Sequence, residues 1–136
     1  MIKEQDNFLL VGHVIPDGDC IGSLLGMYWG LKSLHKQVAI TLQDKVPSLY
    51  EFLSGIDTIQ PLETNQSTSI VIFLDCSDKY RAGDDFLAKL TEGQLTVNID
   101  HHPSNDLFAV YNYVDDTSIA TAELVYRILK ALDVKI

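Results

Sequence analysis

Short apolar runs and longer stretches with helical periodicity alternate along this chain. Apolar runs bounded by turn residues predict strands, whereas apolar residues recurring at steps of three and four predict helices. Strands alternating with helices predict a three-layer α/β fold, built on a mostly parallel sheet with crossover helices. Residues 56–62 are a further candidate strand, and residues 63–69 are expected to form a polar loop. The main strands are predicted at residues 8–12, 38–42, 70–74, 95–99 and 109–114, and the helices at residues 21–34, 48–53, 81–90 and 117–132.

Two of these helices carry patterns that predict how they pack. In the first, Gly22, Gly26 and Gly30 recur every four residues and share one face, which we expect to approach the sheet closely. Asp19 is expected near the N-cap of this helix. The last helix is amphipathic, and one face carries Ala120, Leu124, Ile128 and Leu132.

Composition narrows the class of protein. The 136 residues suit a single domain, and 46% apolar with 21% charged residues is ordinary globular composition. No apolar run approaches the roughly 20 residues needed to span a bilayer, and the first residues lack a signal-peptide pattern. We therefore expect a cytoplasmic protein that does not bind membranes. Cys20 and Cys76 provide neither a disulfide framework nor zinc-finger spacing, and we expect both to be buried.

The net charge of −9 limits which binding partners we expect. It arises from 19 acidic residues against 10 lysines and arginines. Because surfaces that bind long nucleic acid are usually basic, long duplex nucleic acid is not an expected partner. An acidic protein can still process phosphates if bound cations reverse the local charge.

Acids and histidines follow three of the predicted strands. In an open α/β sheet, ligands bind at the carboxyl ends of the strands, so these side chains are expected to converge. Carboxylates and imidazoles together suit Mn, Fe, Zn or Co ions, and carboxylate-rich sets favour Mn and Mg. The candidate ligands are more numerous than one tetrahedral ion can use. They fit two ions that lie about 3.5–4 Å apart and share a carboxylate. The candidates are His13, Asp17, Asp19, Asp75, Asp100, His101 and His102.

These residues form motifs that resemble those of the DHH phosphoesterases. The segment His13-Val14-Ile15-Pro16-Asp17-Gly18-Asp19, the acid Asp75 after a buried strand, and Asp100-His101-His102 are similar to the first three motifs of that family. The resemblance covers residues 8–126 and extends to Ile21-Gly22-Ser23 and Ser104-Asn105. In these details the chain is most similar to the bacterial branch that degrades short oligoribonucleotides and dephosphorylates 3′-phosphoadenosine 5′-phosphate.

The resemblance implies a metal-ligand role for five residues. His13 and Asp17 would bind one Mn²⁺, and Asp19 and His101 would bind the second. Asp75 would bridge the two ions. Mg²⁺ and Co²⁺ are candidate substitutes for Mn²⁺. A water activated by the two ions would then hydrolyse a small nucleotide phosphate.

The resemblance also implies roles around the reacting phosphate. Asp100 would orient a histidine from outside the ligand set, as such partners commonly do. His102 would face the substrate phosphate and stabilise its charge. Asn105 and Arg81 are weaker candidates for substrate contact, because loop shaping and local ion pairs explain them equally well.

One departure from the family concerns the end of the chain. Family members have a fourth motif, an Asp followed by Thr-Gly, and a C-terminal domain that holds substrate. No such motif follows His102, and Asp115 and Asp116 come too early for it. We therefore expect residues 1–136 to be a catalytic domain truncated before the fourth motif, with weak metal binding and poor or no hydrolysis. A truncated sheet edge would expose apolar surface, which makes a homodimer a candidate assembly.

Other functions remain open on the sequence alone. The same motifs occur in manganese inorganic pyrophosphatases, exopolyphosphatases, cyclic-dinucleotide phosphodiesterases and single-strand-specific exonucleases. A non-catalytic module that binds metal or nucleotide is the alternative from another class.

Overall fold

The computed structural model describes residues 1–62, 70–90 and 93–136, and the polar loop predicted at residues 63–69 lies outside them. Within the described residues, one parallel sheet has the strand order β2-β1-β3-β4-β5, with helices on both faces. The predicted α/β fold is confirmed. Short 3₁₀ helices span Ile2–Glu4, Ser48–Tyr50, Ile56–Thr58 and Lys79–Ala82. The main elements are β1 (Asn7–Val11), α1 (Gly18–Ser33), β2 (Gln37–Thr41), β3 (Ile70–Leu74), α2 (Asp84–Lys89), β4 (Thr96–Asp100), β5 (Tyr111–Val114) and α3 (Thr121–Ala131).

Alternation along the central strands divides the core into two layers. Successive side chains of a strand point to opposite faces of the sheet. Phe8 and Leu10 of β1 therefore join the core that α1 and α3 cover, whereas Leu9 and Val11 join the core beneath α2. Every residue of β3 is buried, which explains its continuously apolar sequence.

The register of the strands brings their carboxyl ends together. Val11 of β1 pairs with Phe73 of β3, and Leu74 of β3 pairs with Ile99 of β4. The segments that follow these three strands therefore leave the same edge of the sheet. The strand order also reverses between β1 and β3, and crevices at such switch points are where open α/β sheets bind ligands.

Several predicted boundaries are wrong for local reasons. The helix predicted at residues 81–90 is interrupted by Gly83, whose φ of 101° is not helical. The last helix begins at Thr121 rather than at Thr117, because Asp115 holds Thr117 in a turn through its backbone N–H and its hydroxyl. The predicted helix at 48–53 is only a 3₁₀ helix. Residues 56–62 contribute a 3₁₀ helix and a single bridge from Ile59 to Ile40 rather than a strand.

The glycine face of α1 packs against α3 and not against the sheet as predicted. A Cβ on Gly30 would overlap the side chain of Leu129, and one on Gly26 would contact Val125 at 3.6 Å. The N-cap of α1 is Asp17 rather than Asp19, and its carboxylate accepts the backbone N–H of Cys20 at 2.9 Å.

The buried face of α3 also differs from the predicted one. Leu124 belongs to both, but Ala120, Ile128 and Leu132 are only partly buried. The buried residues of α3 are Thr121, Leu124, Val125 and Leu129. Across the described ranges, no helix combines the length and the apolar character that crossing a membrane requires.

Candidate metal centre

His13 leaves the end of β1 with both ring nitrogens engaged. Its Nδ1 lies 2.7 Å from the carbonyl oxygen of Val14, which can only accept, so Nδ1 must carry a hydrogen. That fixes Nε2 as the atom facing the acids, 3.2 Å from Asp75 Oδ2 and 3.7 Å from Asp17 Oδ1. Histidines that bind metals commonly donate their other N–H to a backbone carbonyl in this way. His13 is therefore placed to offer Nε2 to a cation.

The acids around His13 favour its charged form. The hydrogen bond to Asp75, followed by one to Cys20, raises the pKa of His13 to about 11, although burial opposes the shift. At neutral pH, His13 without a cation is therefore protonated. A cation in this place would replace the proton on Nε2.

Asp75 lies between two groups of candidate ligands. The residue is buried at the end of β3, and its φ of 66° is in the left-handed region. Ligand atoms of His13, Asp17 and Asp75 lie within 4.8 Å of one another, as do those of Asp75, His101 and His102. Oδ2 of Asp75 faces His13, whereas Oδ1 lies 3.7 Å from His101 Nε2 and 3.9 Å from His102 Nδ1. One carboxylate thus borders both groups.

Asp19 approaches the second group from the first turn of α1. Its Oδ2 lies 3.4 Å from Nε2 of His101. The same carboxylate accepts the backbone N–H groups of Thr121 and Ala122, each at 3.0 Å. Asp19 therefore holds the N-terminus of α3 while facing His101, and the helix dipole favours its negative charge.

Asp100 and His102 form a close pair at the end of β4. Oδ1 of Asp100 lies 2.6 Å from Nδ1 of His102, and Oδ2 accepts the amide of Asn105 at 2.9 Å. The side chain of Asp100 is fully buried, whereas that of His102 is 40% exposed. The buried acid thus orients an imidazole that remains open to solvent.

Asn105 and Arg81 are engaged with the protein. The amide nitrogen of Asn105 also lies 2.6 Å from Asn98 Oδ1 and 3.2 Å from the carbonyl oxygen of Cys76. The backbone carbonyl of Arg81 accepts the N–H of Val14 at 2.6 Å, and the Arg81 side chain is exposed. These contacts support the loops around the site. Substrate contact by either residue stays a prediction.

Sequence reasoning missed two residues that hold parts of the site in place. The hydroxyl of Thr121 donates to Asp75 Oδ1 at 2.9 Å, and both residues are buried. Asp44 accepts the backbone N–H of Ile15 at 2.7 Å and so ties the loop between His13 and Asp17 to the segment after β2. Thr121 could have been noticed in the sequence, because it is a polar residue spaced by four from the apolar residues Val125 and Leu129. No pattern in the sequence around Asp44 indicates its hydrogen bond to Ile15.

The chemistry of the donors fits divalent cations. Imidazole nitrogens and carboxylate oxygens are ligands of first-row divalent metals, and carboxylates also suit Mg²⁺. The acids at this edge of the sheet would repel one another and an anionic substrate, unless positive charge offsets them. The residues present can therefore hold one cation at each of the two groups that share Asp75.

Comparison with known proteins identifies relatives of the chain. The DHH family, N-terminal domain, matches residues 7–135. The bifunctional oligoribonuclease and PAP phosphatase NrnA of Thermus thermophilus is 35% identical over 124 residues, covering 90% of this chain and 36% of that protein. The protein of the same name from Bacillus subtilis is 29% identical over 128 residues, covering 93% and 39%.

A solved structure is also similar. The crystal structure of an exopolyphosphatase-related protein from Bacteroides fragilis superposes with a TM-score of 0.86 at 26% identity, covering 96% of this chain and 41% of that one. The chain thus spans about two fifths of the length of the relatives it matches.

Proposed function

The chain belongs to the DHH family, and we propose that it carries the metal-binding half of a manganese-dependent phosphoesterase. Its substrates would be short oligoribonucleotides and 3′-phosphoadenosine 5′-phosphate. The relatives named bifunctional oligoribonuclease and PAP phosphatase support this choice of substrates. A cytoplasmic location agrees with such substrates.

The position of Asp75 is the observation that carries the proposal. His13 and Asp17 offer donors on one side of its carboxylate, and Asp19 and His101 offer donors on the other. Two ions that act together on one phosphate lie about 3.5–4 Å apart, and a carboxylate that borders both sets of donors suits such a pair. When bound, the ions would supply positive charge for the phosphate oxygens and make water more acidic.

The chain's own residues would divide the remaining work. His13, Asp17 and Asp75 would hold one ion, and Asp75 with Asp19 and His101 would hold the second. His102 would donate a hydrogen bond to the substrate phosphate from its exposed ring. Asp100 would hold that ring through Nδ1, as a buried acid beside an imidazole does.

Phosphate release tests the proposal. Inorganic phosphate would be measured after incubation with 3′-phosphoadenosine 5′-phosphate, with Mn²⁺ or with a chelator. The same assay would be run on Asp75→Asn, which preserves the shape of the side chain and removes its charge. Release that requires both Mn²⁺ and Asp75 supports the proposal. Mn²⁺-independent release, or equal release by the variant, contradicts it.

Polyphosphate hydrolysis is the second candidate, and the fold similarity to an exopolyphosphatase-related protein favours it. The same assay with polyphosphate and pyrophosphate separates the candidates, because each predicts faster release from its own substrate. If the chain binds Mn²⁺ but hydrolyses none of these compounds, the result favours a binding module that needs further polypeptide for catalysis.

A further inference from the structure

Helix α3 begins directly against the candidate metal centre, and its own N-cap residue does not cap it. Ala120, the N-cap residue, makes no capping hydrogen bond through its side chain. The carboxylate of Asp19, on α1, replaces that cap by accepting the N–H groups of Thr121 and Ala122. The start of α3 is therefore fixed by a candidate ligand from another helix.

Thr121 links this helix start to a second candidate ligand. While its backbone N–H is bonded to Asp19, its hydroxyl donates to Oδ1 of Asp75 at 2.9 Å. Thr121 is completely buried and Asp75 is 3% exposed, so no solvent competes for this hydrogen bond. One residue of α3 thus bonds an acid that follows β1 and an acid that follows β3.

The hydroxyl constrains how the carboxylate of Asp75 is turned. Oδ2 points to His13, whereas Oδ1, which accepts from Thr121, is the oxygen nearest His101 and His102. A rotation of the carboxylate about its bond to Cβ would break the Thr121 hydrogen bond and misalign both oxygens. Hydrogen bonds of this kind hold metal ligands in place, and their loss commonly weakens metal binding.

We propose that Thr121 is a positioning residue, whose hydroxyl fixes the Asp75 carboxylate so that it offers one oxygen to each group of candidate ligands. The inference rests on the proposed function in one respect: both groups are taken to hold divalent cations. Thr121 itself binds neither cation nor substrate. It acts only through the orientation of Asp75.

Mn²⁺ affinity in a set of threonine variants tests this role. Free Mn²⁺ would be titrated by electron paramagnetic resonance against the wild-type chain, Thr121→Val, Thr121→Ser and Thr58→Val. Valine keeps the shape of threonine without the hydroxyl, and serine keeps the hydroxyl. Thr58→Val is the matched control, because it removes a hydroxyl that donates to the backbone carbonyl of Gly55, outside the two ligand groups and outside α3.

The proposal predicts that Thr121→Val weakens Mn²⁺ binding about 10–100-fold. The Mn²⁺ affinity of Thr121→Ser should be close to the wild-type value, and that of Thr58→Val should match it. Wild-type affinity in Thr121→Val would overturn the proposal. An equal loss in Thr121→Ser would also overturn it, because the loss would then come from packing. If Thr121→Val does not fold, Thr121→Ala against Thr121→Ser makes the same comparison.

Crystal structures of the metal-free wild type and Thr121→Val provide a readout independent of metal. The proposal expects the Asp75 carboxylate to turn in the variant while the backbone of β3 and α3 superposes. An unchanged carboxylate overturns the proposal. If the wild type binds no Mn²⁺, the proposed function fails, and this comparison still decides whether Thr121 positions Asp75.

Discussion

Nδ1 of His102 lies 2.6 Å from Oδ1 of Asp100, and the acid is fully buried beneath the partly exposed ring. Charged hydrogen bonds of this length are strong and directional. The pair therefore fixes which nitrogen of His102 faces the protein, and leaves Nε2 as the nitrogen that can meet a substrate.

Replacing Asp100 by asparagine should disturb this orientation. The amide keeps the size of the carboxylate, but it can present its NH₂ group to the ring and it lacks the negative charge. We expect phosphate release to fall about 10–100-fold. The ring ¹⁵N resonances of His102 should report a changed proton position.

Asp106→Asn provides the control, because it makes the same charge change on an exposed acid of the following loop. It should leave both the rate and the ¹⁵N resonances unchanged. Full activity in Asp100→Asn, with the wild-type proton position on His102, would show that the pair does not act on the reaction.

Two glycines of α1 should respond oppositely to alanine. Gly30→Ala places a methyl group into the side chain of Leu129 on α3, and overpacking of this kind typically costs about 1–3 kcal/mol. A Cβ added at Gly22 would have no neighbouring heavy atom within 4 Å. Gly22→Ala should therefore stabilise the helix by about 0.5–1 kcal/mol. Urea unfolding of the two variants and the wild type measures both. If Gly30→Ala is as stable as Gly22→Ala, the packing of α1 on α3 described above is wrong.

The protonation of His13 predicts a pH dependence of stability without metal. Its folded pKa, about 11, lies above the ordinary value of 6.5. Between these values the folded state binds more protons than the unfolded state, so stability falls as pH rises. The contribution of His13 should be complete below pH 6.5 and be lost as pH approaches 11.

Thermal melts in a chelator from pH 6 to 10 measure this effect. The melting temperature of the wild type should decline with pH more steeply than that of His13→Gln, which has no titrating ring. Parallel curves would contradict the assignment. Mn²⁺ affinity should follow the opposite trend and rise with pH, because the cation must displace the proton.

The features of the fold that could be predicted from the sequence are those that depend on the local pattern of apolar and polar residues. β3 was predicted at its observed bounds, Ile70–Leu74, because burial on both faces demands a continuous apolar run. The convergence of Asp75 and His101 was anticipated because parallel strands share a carboxyl edge. These inferences need no knowledge of which helix packs on which.

The remaining features depend on long-range packing. Thr121 was missed because the predicted apolar face of the last helix ran through Ala120 and Leu124, whereas the face that α3 buries includes Thr121. The partner of the α1 glycine face could not be distinguished by spacing, since a sheet and a helix both accept a close approach. The hydrogen bond from Ile15 to Asp44 joins segments far apart in sequence that no periodicity connects.

Counting bound Mn²⁺ by isothermal titration calorimetry shows whether two cation sites share Asp75. The wild-type chain should bind about two ions, because two groups of donors share that carboxylate. Asp17→Asn should weaken one ion only, whereas Asp75→Asn should weaken both. Two ions bound by Asp75→Asn with wild-type affinities would contradict a shared centre.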